Sequence, residues 1–204
     1  MKDSFLMCDS TEGDGKAESV MDYVMSYSLR HAVDEYLIEK PMLCRYCRYM
    51  LSVLLGIQID DNTTNVESVN VWREWQHMDL CVEAIIKENG VSNRYALLIE
   101  NKYYSRLRKN QLEDYKKIFD DYYDNNKKKV DREHRRYRLV SCFEEPKKVE
   151  ATYGIAVSKF PESESQDDFL ALPFYYLLPK SYLHDDIYEE TESEIFNEFW
   201  LRKW

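Results

Sequence analysis

The chain has 204 residues, 44% of them hydrophobic and 32% charged, and a formal net charge of −10. This length and composition predict a single globular domain that can bury a substantial core. The five glycines are too few to favour a phosphate-cradling loop, and the sequence contains no dinucleotide-binding fingerprint.

The N-terminal residues and the cysteines indicate a cellular compartment. No apolar run is long enough to span a membrane, and the polar start of the chain lacks the apolar core of a signal peptide. We therefore expect a cytoplasmic protein with a flexible tail at residues 1–17 and reduced thiols. The Cys44-Arg-Tyr-Cys47 motif has no second pair to complete a metal site, so we interpret it as two buried helix residues.

Residues 18–57 have the periodicity of helices. Their apolar side chains recur at three- and four-residue spacing. Pro41 divides this segment into two helices, because the residue before a proline is biased away from the helical conformation. Gly56 is placed to end the second helix. A polar loop is expected after it, at residues 58–67.

Two strand-like segments come next, joined by a turn. Residues 69–86 form the first, with a possible division into two strands after Trp75. The segment KENGVSNR, residues 87–94, contains the Asn-Gly pair that is typical of a hairpin turn. Residues 95–102 form the second strand, so an antiparallel hairpin is predicted.

The second strand of this hairpin ends in charged residues, which a buried strand normally avoids. The apolar run that starts at Ala96 leads directly into Glu100-Asn101-Lys102. Side chains alternate along a strand, so Glu100 and Lys102 share one face. Antiparallel pairing of the hairpin brings Asp79 close to Glu100. The three charged side chains are therefore predicted to meet at one end of the sheet.

The remainder of the chain predicts further helices and strands. Residues 108–122 form a helix that contains Gln111. The expected elements after it are two strands, an apolar segment and a final amphipathic helix, at residues 137–143, 152–160, 170–178 and 192–204.

Asp79 on one strand, Glu100-x-Lys102 on the next and a following helix with Gln111 together resemble the PD-(D/E)xK nuclease superfamily. The resemblance covers roughly residues 67–140, and Met78 stands where the superfamily usually has proline. It implies an α/β (α+β) fold, with a restriction-endonuclease-like αβββαβ core in which helices flank a central mixed sheet. The domain would span residues 18–204, with N-terminal helices at 18–57, the core at 67–160 and a C-terminal extension at 161–204.

The resemblance also implies a function, a metal-dependent nuclease that hydrolyses phosphodiester bonds in DNA, with Mg²⁺ as cofactor and Mn²⁺ as a substitute. Members of this kind act in restriction, repair or phage defence. Asp79, Glu100 and the backbone carbonyl of Asn101 would be metal ligands. Lys102 would orient the attacking water and stabilise charge in the transition state, and Gln111 would contact the lysine, the water or the substrate.

Other readings of individual residues remain open. Superfamily members often add a carboxylate from an N-terminal helix, for which Glu39 is our candidate ahead of Glu35. Glu83 lies about 13 Å along the strand from Asp79, too far for both to bind one ion. His77 could approach the metal, but we prefer to interpret it as an edge-strand surface residue.

A basic stretch begins at the predicted site despite the acidic total. Between Lys102 and Lys148, fifteen Lys and Arg residues stand against nine Asp and Glu. Nearby charge outweighs distant screened charge, so this stretch could bind phosphates, although a solvated surface is the simpler interpretation. Our candidates for contact with nucleic acid are Arg106, Arg108, Lys109 and Lys116. The other basic residues in the stretch include Lys117, Lys127–Lys129, Arg132, Arg135, Arg136 and Arg138.

Two rival functions follow from the same residues. A nuclease fold that has lost activity could bind nucleic acid or a protein partner. An unrelated α/β protein could use its acidic surface for interaction. The sequence gives no oligomeric state, and a homodimer or a larger complex is possible.

Overall fold

The computed structural model describes Ser4, Leu6 and residues 16–125, 130–158, 168–179 and 189–202. Its helices are α1 (Lys16–Arg30), α2 (Tyr36–Glu39), α3 (Pro41–Leu55), α4 (Gln111–Asn125), α5 (Pro146–Tyr153) and α6 (Glu194–Phe196), which continues as a π-helical turn over Asn197–Leu201. Its strands are β1 (Thr64–Trp75), β2 (Met78–Glu88), β3 (Val91–Lys102), β4 (Arg135–Ser141) and β5 (Leu170–Pro173). Most of the predicted tail and all of Lys127–Lys129 lie outside the described residues.

The five strands form one mixed sheet in the order β1-β2-β3-β4-β5. The first three strands are antiparallel neighbours, and β3, β4 and β5 run parallel. The parallel step from β3 to β4 needs a crossover, which α4 supplies. This is the predicted mixed sheet flanked by helices. Among the described helices, none has both the length and the apolar content that a membrane span requires.

The hairpin between β2 and β3 is tighter than predicted. Asn89 and Gly90 both have positive φ, 50° and 85°, as a two-residue turn with the right-handed twist of a hairpin requires. Pairing therefore continues to Glu88 opposite Val91, inside the segment that we assigned to the turn. The Asn-Gly signal was correct, and only the length of the turn was wrong.

Other boundaries also differ from the sequence prediction. The first helix ends at Arg30, well before Pro41, and β1 starts at Thr64, within the predicted loop. The predicted strand at 152–160 is wrong in its first part, because α5 occupies Pro146–Tyr153. Proline at the first turn and Gly154 at φ 68° mark the start and end of this helix. After it, Val157 forms only an isolated bridge to Ala171.

The core lies on both faces of the sheet. Leu97 and Ile99 of β3 pack with residues of α1 and α3, whereas Ala96 and Leu98 pack against α4. This alternation places Glu100 and Lys102 on the α4 face and Asn101 on the α1 face. Cys44 and Cys47 are buried free thiols in α3, as predicted.

The arginines of β4 are structural, which corrects their assignment to the basic surface. Arg138 is 1% exposed, and its Nε donates to the Leu54 carbonyl at 2.8 Å. Arg136 Nε donates to the Leu55 carbonyl at 2.7 Å. These carbonyls belong to the last turn of α3, which has no helical partners for them. Arg135 is also buried, paired with acidic residues of α4.

Candidate active site

The register of the hairpin brings Asp79 and Glu100 together. Leu80 pairs with Ile99, so the same register continued by one residue sets Asp79 opposite Glu100. Opposed residues of antiparallel strands point to the same face. The two carboxyl groups are close enough to interact, because the neighbouring Asp79 raises the pKa of Glu100. The predicted approach of these residues is therefore present in the structure.

Lys102 and Gln111 both contact one oxygen of Glu100. Lys102 Nζ lies 2.7 Å from Glu100 Oε1, and Gln111 Nε2 donates to the same oxygen. The amide of Gln111 has a fixed orientation, because its Oε1 accepts from the backbone N–H of Arg108 at 3.0 Å. The first residue of α4 thus connects the loop after β3 to the carboxylate of Glu100.

The second oxygen of Glu100 is the unusual feature of this site. Glu100 is 1% exposed, and its Oε2 is buried without a hydrogen-bond partner among the described residues. A buried carboxylate oxygen that lacks a donor is costly. Two adjacent carboxylates increase that cost, because like charges at short distance repel.

The burial of these groups changes their proton affinity. Burial and then the neighbouring Asp79 raise the pKa of Glu100 to about 8, against the opposing effect of Lys102. Burial also raises the pKa of Asp79. Burial alone would lower the pKa of Lys102, but Glu100 and other carboxylates outweigh it and the pKa is raised. Lys102 therefore remains an ammonium group at neutral pH.

Asn101 connects the site to α1 through the sheet. Its backbone N–H donates to Asp79 Oδ2 at 2.7 Å. Its side chain lies on the opposite face, where Nδ2 donates to Asp22 Oδ1 at 2.7 Å. Burial, followed by the nearby Asp79, raises the pKa of Asp22 to about 7. The role of the Asn101 carbonyl as a metal ligand remains a prediction.

The carboxylates that reach this site from the N-terminal helices come from α1. Glu18 Oε1 accepts from the backbone N–H of Tyr103 at 3.0 Å and from the hydroxyl of Ser105. Glu18 and Asp22 lie four residues apart on one helix face. Two acidic residues at this spacing, next to the apolar Met21, are the sequence signal that could have identified them. Sequence reasoning did not identify it.

Glu39, the residue that we favoured for this role, is exposed on α2. The turn before α2 is held at the far end of the sheet, where Asp34 Oδ1 accepts from the backbone N–H of Val66. Val66 pairs with Ile86, about 23 Å along β2 from Asp79 at ~3.3 Å per residue. The break in the helix after Arg30 explains this placement, because it separates α2 from α1.

Two other residues considered from the sequence lie away from the carboxylate pair. His77 is exposed in the turn between β1 and β2, with φ 68°, so it is not on the strand face of Asp79. Glu83 instead accepts from Tyr123 Oη at 3.0 Å and from Arg94 at 2.9 Å. Its separation from Asp79 agrees with the sequence argument.

The candidate nucleic-acid residues surround the start of α4. Arg106, Arg108 and Lys109 are exposed in the loop between β3 and α4. Arg108 donates to Tyr115 Oη at 2.9 Å. Lys116 lies over the Tyr137 ring, 5.1 Å from its centroid. Three of the four are thus accessible at the rim of the site, and the fourth is partly committed to an aromatic contact.

The donor set of the site fits a hard divalent cation. Carboxylate oxygens are the ligands that Mg²⁺ prefers, and the unpartnered Oε2 of Glu100 is an acceptor that such an ion would satisfy. A second acidic group consists of Asp131, Glu133 and His134. Its side chains lie mostly at the surface, where acidic groups commonly cluster without an ion.

Comparison with known proteins gives one match. A family model described as the PD-(D/E)XK nuclease superfamily matches residues 6–188. No curated protein and no solved structure matches the chain. The matched range includes the hairpin, the following helix and α1.

Proposed function

Because the chain belongs to the PD-(D/E)XK nuclease superfamily, we propose that it is a divalent-metal-dependent nuclease that hydrolyses phosphodiester bonds in DNA. One observation carries this proposal: Asp79 and Glu100 hold their carboxyl groups together beside the ammonium of Lys102. Such a group of charges at a strand end has no role in packing, since burial makes it costly.

Asp79 and Glu100 would hold the cation, Mg²⁺ or Mn²⁺. When bound, the ion would neutralise negative charge on the phosphate and lower the pKa of a water molecule. The unpartnered Oε2 of Glu100 supports its assignment as a ligand. Glu18 is a candidate on α1 for a further carboxylate, in place of Glu39.

Lys102 would stabilise negative charge on the phosphate that is attacked. Its raised pKa keeps it protonated, so it can donate to a phosphate oxygen but cannot accept a proton from water. Gln111 would hold Glu100 Oε1 and, with Lys102, leave Oε2 for the cation. The Asn101 backbone N–H would fix the position of Asp79.

The exposed basic residues Arg106, Arg108 and Lys109 would bind phosphates that flank the cleaved bond. They lie in the loop that follows Lys102, and the backbone N–H of Arg108 in this loop donates to Gln111 beside Glu100. This local basic surface supports binding of a polyanion by an acidic protein, because screening limits the influence of distant acidic groups.

The test is cleavage of plasmid DNA, single-stranded DNA and RNA in Mg²⁺ or Mn²⁺, with EDTA as the metal-free control. We expect metal-dependent DNA cleavage, loss of cleavage in Glu100→Gln and Lys102→Ala, and unchanged cleavage in Glu113→Gln, an exposed α4 control. Cleavage that survives both site substitutions would contradict the assigned site. Cleavage of RNA alone would contradict the DNA substrate, and binding of DNA without cleavage would favour an inactive module.

A further inference from the structure

A pocket lies along β2 from the candidate active site, on the same face of the sheet. It has a cavity volume of about 120 Å³ and is lined mainly by aromatic side chains of β1 and α4. Its lining residues are Trp72, Trp75, Cys81, Glu83, Tyr122 and Tyr123. Cys81 and Glu83 follow Asp79 on its own face of β2, at about 7 and 13 Å along the strand. This separation corresponds to about two to four stacked nucleotides at ~3.4 Å each.

The pocket presents exposed aromatic side chains. The Trp75 and Tyr122 rings are 4.8 Å apart at 70°, and Trp72 and Tyr122 remain 45% and 42% exposed. Exposed aromatic faces are available for stacking, which is sequence-tolerant and strong for nucleobases. A cavity of about 150 Å³ is large enough for benzene. The pocket here is smaller, so a fused pair of rings is too large for it, and a single ring would enter only in part, with its face on the exposed aromatic side chains.

The pocket contains the hydrogen-bond acceptors of Glu83, whose charge is balanced by Arg94. Glu83 is buried, and its two oxygens accept from Tyr123 Oη and from Arg94. An ionised carboxylate has about four acceptor positions, so roughly two remain. Arg94, 2.9 Å away, neutralises the carboxylate. A neutral ligand with an N–H donor is therefore favoured over a cation, despite the surrounding aromatic rings.

We propose that this pocket binds an unstacked cytosine of the substrate strand and gives the enzyme a base preference close to the cleaved bond. Cytosine is a single ring. Its N4 amino group donates the hydrogen bond by which acidic side chains recognise this base. Thymine has a carbonyl oxygen at the corresponding position, which a carboxylate repels. This inference rests on the proposed nuclease function, because it takes the bound strand to run from Asp79 along β2.

The experiment measures tryptophan fluorescence quenching by oligo(dC) and oligo(dT) of equal length, in EDTA so that the strands stay intact. We expect oligo(dC) to bind about 10-fold more tightly, within the range that one good base contact provides. Trp72→Ala should weaken binding about 10-fold, as loss of one stacking contact does, while Trp72→Phe retains most of it. Glu83→Gln should remove the preference for oligo(dC), and Ile195→Ala, an exposed control on α6, should change nothing.

Thermal unfolding of each variant confirms that it is folded. Equal affinity for both oligonucleotides, or unchanged binding in folded Trp72→Ala, would overturn the pocket. Quenching by choline or an arginine amide instead of oligonucleotide would overturn it in favour of a cation site. Cleavage without base preference would refute the pocket alone. Preference for oligo(dC) without cleavage would support the pocket while contradicting the nuclease.

Discussion

The ammonium of Lys102 lies 2.7 Å from Oε1 of Glu100, and both side chains are buried. The ion pair satisfies one carboxylate oxygen of Glu100 and leaves the other without a donor among the described residues. A site built in this way has an unsatisfied acceptor, which under the proposed function the cation would occupy. We therefore expect that a substitution which stabilises the metal-free protein here also removes the proposed binding of the cation.

Replacing Glu100 with glutamine should stabilise the metal-free protein at alkaline pH. The fold raises the pKa of Glu100 from 4.5 to about 8, so it favours the protonated form. The stabilising contribution of that proton is present at low pH and is lost as pH rises from 4.5 through about 8. In EDTA at alkaline pH, Glu100→Gln should increase the free energy of unfolding by about 2 kcal/mol.

Urea unfolding of the wild type and Glu100→Gln at two pH values measures this difference. The gain should vanish at about pH 4, where Glu100 is protonated in both states. Equal stability of the two proteins at alkaline pH would show that burial does not penalise the charged carboxylate.

Binding of a divalent cation should strengthen as pH rises. The cation requires deprotonated ligands, whereas Glu100 holds its proton up to about pH 8 and the pKa of Asp79 is also raised. We expect the increase in Tm caused by Mg²⁺ to be small near pH 6 and to grow up to about pH 9. Glu100→Gln should abolish it at every pH. An increase in Tm that is independent of pH would place the cation elsewhere.

Asp22 is predicted to serve by holding Asn101 and not by its charge. Its folded pKa of about 7 exceeds the ordinary 3.8, so ionisation destabilises the fold as pH rises through that interval. Asp22→Asn keeps an oxygen for Asn101 and should raise stability by about 1 kcal/mol at pH 8. Asp22→Ala leaves the buried Asn101 amide without its partner and should lower stability by about 2 kcal/mol. Denaturant unfolding of both variants decides between these opposite signs.

Gln111→Ala should lower the rate of DNA cleavage more than it weakens DNA binding. The side-chain amide of Gln111 is buried and donates from Nε2 to Oε1 of Glu100. Loss of such a supporting contact typically reduces metal affinity or activity about 10- to 100-fold. Measured kcat should fall by this amount, with KM almost unchanged. Raising the Mg²⁺ concentration should restore part of the rate if the loss acts through the cation. A change in KM alone would assign Gln111 to substrate binding.

The arginines of β4 and of the loop before α4 should respond differently to substitution. Arg138→Met leaves the Leu54 carbonyl without its buried donor and should cost about 2–3 kcal/mol of stability. Arg106→Ala should leave stability unchanged, because Arg106 is exposed. It should instead reduce the slope of log affinity for DNA against log salt by about one. Salt titrations of DNA binding, together with urea unfolding, separate the two roles.

Local sequence signals predicted much of the fold and half of the site. The Asn-Gly turn and strand alternation were enough to place Asp79, Glu100 and Lys102 together, because hairpin pairing follows from neighbouring residues. Helical periodicity located α3 and α4, and Pro41 and Gly56 correctly marked the two ends of α3, whereas the bounds of α4 differ by three residues. The last two residues of α5 were assigned to the strand predicted at 152–160, since β-branched and aromatic residues such as Thr152 and Tyr153 are typical of strands.

The sequence by itself determined the hairpin, the charges at its end and the helix that carries Gln111, because each depends on residues close in the chain. Only the tertiary structure decided which distant residues complete the site. Asp22 and Asn101 are 79 positions apart, and no periodicity connects them. Burial likewise depends on packing. Nothing in the local sequence distinguishes Arg138 from an exposed arginine, and only the structure shows that it donates to the carbonyl of Leu54. The candidate catalytic residues are therefore close together in the chain, whereas residues that bury them and shift their pKa values are distant in sequence.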